Sequence, residues 1–81
     1  MATIYLQESF PDPGTVRIQV EGVLDTEALQ VLEEVCGRHL GHRRIRLEMG
    51  GVTHLSREAR QFLKRILPQV QDISLSSHHR L

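Results

Sequence analysis

Val16-Arg17-Ile18-Gln19-Val20-Glu21 and Ile45-Arg46-Leu47-Glu48-Met49 decide the fold. Both stretches alternate apolar and polar residues, the period of a strand with one dry and one wet face. Val16, Ile18 and Val20 face one way, as do Ile45, Leu47 and Met49. Arg17, Gln19, Glu21, Arg46 and Glu48 face the other. A sheet covered on both sides would instead be built from continuous apolar runs. Between the two strands the period changes. Ala28, Leu29, Leu32, Val35, Cys36 and Leu40 form an apolar stripe at helical spacing, with Val31 on its flank. Asp25 stands where an N-cap is needed and Gly41 where a helix should end. A strand, a helix and a second strand form a right-handed parallel unit in nearly all proteins.

Working outward, Ile4-Tyr5-Leu6 begins a first strand, and Phe10-Pro11-Asp12-Pro13-Gly14 carries turn residues. Together with the strand from Val16 they predict a β-hairpin. Beyond Met49, Gly50-Gly51 breaks the third strand, and Val52-Thr53-His54-Leu55 is expected to connect it to a second helix. Ser56 is that helix's N-cap candidate. Ala59, Phe62, Leu63, Ile66 and Leu67 then follow the i, i+3, i+4, i+7, i+8 spacing of a buried face. Pro68 stops the helix nearby, and Asp72-Ile73-Ser74-Leu75 is a short last strand. The order ββαβαβ predicts an α/β fold, a four-stranded mixed sheet with two helices on one face. Residues 1–76 form a single domain on this reading, with 77–81 a flexible tail.

Composition narrows the function. The chain has 81 residues, 40% hydrophobic and 25% charged, as an ordinary globular domain does. No apolar run approaches the ~18 residues of a membrane span, and no secretory leader is expected from Met1-Ala2-Thr3-Ile4-Tyr5. The single cysteine, Cys36, excludes an internal disulfide and fits a reducing, cytoplasmic compartment. Ten basic and ten acidic side chains cancel, which argues against nucleic acid as a partner.

Two segments resemble a known family. Val20-Glu21-Gly22-Val23-Leu24-Asp25 resembles the entry to the first helix of the STAS domains, the anti-sigma-factor antagonist family. Ile45 to Ser56 resembles that family's third strand and following loop. The resemblance implies a bacterial, cytosolic, non-enzymatic module for protein–protein interaction and transcription regulation, with no cofactor. It implies as partner an anti-sigma factor that is also a serine kinase-like ATPase. It also implies a contact surface of Asp25, Ser56, Arg57 and the exposed side of the second helix with Arg60 and Lys64. The family's phosphoacceptor Ser or Thr falls on Arg57, and its Gly on Ala59. A guanidinium cannot be phosphorylated, so the usual switch is expected to be missing. The family usually continues past the position of Leu75 with a further helix, so uncovered surface and a homodimer are expected here. A related expectation is an accessory subunit that binds the ATPase subunit of a lipid-transport ABC complex.

Other residues invite chemistry. Ser56 could take a phosphate in place of the missing acceptor, against its plainer role as a helix cap. Arg57, Arg60 and Lys64, at i, i+3 and i+7, could dock an acidic partner or a lipid headgroup, or could simply be solvated. The five histidines, His39, His42, His54, His78 and His79, lack any zinc-motif spacing, so no metal site is expected. His39 and His42 suit a helix C-terminus without a metal. His54 and Ser56 could pair as base and nucleophile in a small hydrolase or metal enzyme, but no orienting carboxylate or oxyanion hole is apparent. Cys36 on the apolar face belongs to the core. Gly50-Gly51 lacks the rest of any nucleotide-binding motif.

Overall fold

A computed structural model describes residues 4–75. The order is β1 (Ile4–Asp12), β2 (Thr15–Leu24), α1 (Thr26–His39), β3 (Arg44–Leu55), α2 (Arg57–Ile66), a 3-10 turn (Leu67–Gln69) and β4 (Asp72–Leu75). The sheet runs β1-β2-β3-β4, the first pair antiparallel and the other two parallel. This is the mixed four-stranded α/β architecture expected from the alternation. Each parallel step moves one strand further in the same direction. Two right-handed crossovers in that direction place α1 and α2 on the same face.

One hydrophobic core lies between the sheet and the helices. Val16, Ile18 and Val20 of β2 and Ile45, Leu47 and Met49 of β3 are completely buried. They meet Leu29, Leu32 and Val35 of α1 and Phe62, Leu63 and Ile66 of α2. On the open face, Arg17 Nε lies 3.1 Å from Glu48 Oε2, close enough for an ion pair though not directed as a hydrogen bond. The hairpin closes as its residues predict, with Gly14 N–H donating to Asp12 Oδ1 at 2.9 Å.

Three details differ from the sequence reading. First, β3 does not end at Gly50-Gly51 but continues to Leu55 beside the end of β2. Its partners run Gln19 with Glu48, then Glu21 with Gly51, and Gly22 with Val52, then Val23 with His54. Each irregularity inserts one extra residue into β3, as a β-bulge does. The inward set therefore jumps from Met49 to Val52 and then Leu55, and alternation no longer marks the strand. Gly22 sits between the bulges with φ of 102°, a conformation that favours glycine. Second, β1 continues through Phe10 and Pro11, since an edge strand tolerates proline. Third, the buried stripe of α1 ends on His39 rather than Leu40, which is half-buried, while Val31 is 42% exposed. Leu67 falls in the 3-10 turn and is 46% exposed. The tail 77–81, with His78 and His79, lies outside the described residues.

Candidate functional site

β2 and β3 are parallel neighbours, so both end at one edge of the sheet, where Leu24 pairs with Leu55. Each is followed at once by a helix cap. Asp25 Oδ1 accepts the Ala28 N–H at 2.8 Å, and Ser56 Oγ accepts the Ala59 N–H at 3.1 Å. Caps of this kind stabilise a helix by about 1 kcal/mol each. Two further bonds fix the helix starts side by side. Ser56 N–H donates to Leu24 O at 2.9 Å, and Thr26 Oγ1 donates to Glu58 Oε2 at 3.3 Å.

The structure therefore brings Asp25, Ser56 and Arg57 together at one edge. Arg57 is exposed, and Arg60 and Lys64 continue along α2, half-buried and exposed respectively. Lys64 is seven residues from Arg57, about 10 Å along the helix axis at 1.5 Å per residue. Arg57 and Lys64 have no ion-pair partner among the described residues. Arg65, on another side of α2, reaches Glu33 of α1 at 3.8 Å and lies over the Phe62 ring at 5.6 Å. One acidic side chain of α1 is thus neutralised by a basic one of α2 within the chain.

A nucleophile–base pair at this edge has little geometric support. The Ser56 hydroxyl is engaged as a cap, His54 is exposed on β3, and no hydrogen bond joins the two. No group of three or more His, Cys, Asp or Glu side chains that could hold a metal occurs among the described residues. Cys36 is fully buried, and the loss of solvation pushes its thiol pKa from 9.0 up to about 11. Gly51 has a steric duty: a Cβ there would stand 2.7 Å from Glu21 Cγ. No helix among the described residues is long and apolar enough to cross a membrane.

Sequence reasoning missed one part-buried polar pair. His39 is only 6% exposed, and its Nε2 lies 2.9 Å from Glu8 Oε2 of β1. Arg38 Nη1 approaches the other Glu8 oxygen at 3.9 Å. Phe10 packs its ring against His39 with centroids 6.1 Å apart. Helical spacing puts His39 in line with Leu32, Val35 and Cys36, which was the available signal. Its partner, 31 residues earlier, leaves no local trace.

No protein-family model matches this chain, and no curated protein matches it either.

Proposed function

We propose that this protein is a non-enzymatic regulatory module of the STAS type, which binds a protein partner through the edge where α1 and α2 begin. The observation that carries the reading is the pairing of the two helix starts: Ser56 N–H on Leu24 O, with Asp25 and Ser56 as adjacent caps. These are the two segments on which the family resemblance rests, 31 positions apart in sequence and joined in space. Asp25, Ser56 and Arg57 form the centre of the contact, and Arg60 and Lys64 extend it along α2. Arg57 supplies a fixed positive charge where family members carry a phosphorylatable hydroxyl, so binding is constitutive and not switched at that position. The partner class is an anti-sigma factor with a serine kinase-like ATPase fold.

Titration calorimetry against such a kinase from the same genome tests the reading. Replacing both Arg57→Glu and Arg60→Glu should weaken the complex by about tenfold or more, since charge reversal within a contact converts attraction to repulsion. Unchanged affinity removes this surface from the account. Binding to the ATPase subunit of a lipid-transport ABC complex, with no binding to the kinase, selects the accessory-subunit reading instead.

A further inference from the structure

The opposite edge of the sheet carries a feature that the partner surface does not use. Because β2, β3 and β4 are parallel, their first residues, Thr15, Arg44 and Asp72, all lie at that edge. The hairpin turn, the turn after α1 and the segment after the 3-10 turn converge there around an open cleft of about 740 Å³.

Three consecutive basic-type residues line the cleft: His42, Arg43 and Arg44. The turn that carries them is pinned. Gly41 has φ of 82°, the His42 and Arg43 amides both donate to His39 O at 2.9 Å, and Arg44 N–H donates to Gly14 O at 2.8 Å. The Arg43 guanidinium is positioned by the Phe10 ring, whose centroid lies 5.5 Å away. Arg44 and His42 have no side-chain hydrogen bond or ion pair among the described residues. The lining holds one carboxylate, Asp12, and one of its oxygens is committed to Gly14 N–H. In a chain whose charges cancel overall, this cleft therefore carries a local positive excess.

From this arrangement we propose that the cleft binds a small phosphate-bearing polyanion, a di- or triphosphate, held by the Arg43 and Arg44 guanidiniums with Gln69 and Gln71 amides beside them. A guanidinium fork matches the oxygens of a phosphate and makes charge-assisted hydrogen bonds to them. The His42, Arg43 and Arg44 amides are already paired, so recognition falls chiefly to the side chains. The Asp12 carboxylate and the carbonyl end of α1, with roughly half a negative charge, offset part of the two guanidinium charges and leave a small positive excess. The cleft and the partner surface occupy opposite ends of the parallel strands, so the two proposals fail independently.

The test is an amide-resolved NMR titration of the full chain with pyrophosphate and with tripolyphosphate. Saturable shifts confined to residues 41–44 and 69–71 are expected, with tripolyphosphate binding more tightly. Arg44→Gln should weaken binding by about tenfold or more. Arg44→Lys, which keeps the charge and loses the fork, should fall between the two, and Glu27→Gln, at the far edge and outside the partner surface, should leave affinity unchanged. Circular dichroism on each variant verifies that the fold is retained. Shifts that do not saturate, shifts centred on the start of α2, or full affinity in Arg44→Gln would overturn the proposal. So would an oligoglutamate peptide that binds more tightly than tripolyphosphate.

Discussion

Gly51→Ala provides a direct test of the register between β2 and β3. Gly51 faces Glu21, and its backbone does not need glycine, since among the described residues only Gly22 and Gly41 have positive φ. The cost is therefore steric. The added methyl would lie 2.7 Å from Glu21 Cγ, 3.3 Å from its Cβ and 3.4 Å from its Cδ. Ordinary carbon contacts are ~3.5–4.0 Å, so the nearest pair overlaps by about 1 Å. Both residues are exposed and the Glu21 side chain can turn partly aside, so the cost falls near the lower end of the ~1–3 kcal/mol that overpacking costs in a core. Replacing glycine stiffens the unfolded chain and offsets ~0.4–1 kcal/mol of that. The net expectation is a loss of about 0.5 kcal/mol, or ~2–4 °C in Tm for a domain of this size. In a Glu21→Ala background the Cγ and Cδ atoms are gone, and the same change should be neutral or mildly stabilising. Urea denaturation of the four proteins, followed by circular dichroism, measures the coupling. If Gly51→Ala stabilises the original chain, or costs as much without Glu21 as with it, the bulged register is wrong.

The Glu8–His39 pair predicts that Glu8→Ala costs about 1–3 kcal/mol, because it strands a buried ring nitrogen. Glu8→Gln keeps an oxygen acceptor and should cost less; equal losses in urea titrations would show that the contact contributes nothing specific. Burial of Cys36 predicts slow labelling by a thiol reagent at pH 8 in the native state and rapid labelling once the chain is unfolded. Its pKa near 11 makes the thiolate fraction about a hundredfold smaller than that of a solvated cysteine. The same shift has a sign for stability. The unfolded thiol releases its proton near 9.0 while the folded one keeps it to about 11, so Cys36 stabilises the fold fully below pH 9 and loses that contribution as pH rises through 11. Urea midpoints at pH 8 and pH 10 should therefore differ more for the original chain than for Cys36→Ala, and an equal difference would refute the assignment.

The candidate edge was legible because its parts are local signals. Asp25 and Ser56 each precede an amphipathic run, and each caps the helix it was expected to cap. Their adjacency follows from parallel strand pairing, which strand–helix–strand order already implies. The cationic run His42-Arg43-Arg44 is equally visible in sequence, but its significance is not. A run of basic residues becomes a cleft only when the hairpin turn and the segment after α2 fold in beside it.

The sequence by itself determined the element order, the single dry face of the sheet and both helix starts. These depend on periodicities of two and 3.6 residues and on caps within three residues of their targets, all of them local. Tertiary structure decided the rest. Two inserted residues in β3 carried the strand through a glycine pair that looked like its end, because bulges shift the inward set without changing composition. Helical spacing set His39 on the buried stripe, but its partner carboxylate came from β1, brought there by strand pairing and helix packing at a separation of 31 residues, where no pattern along the chain can register it.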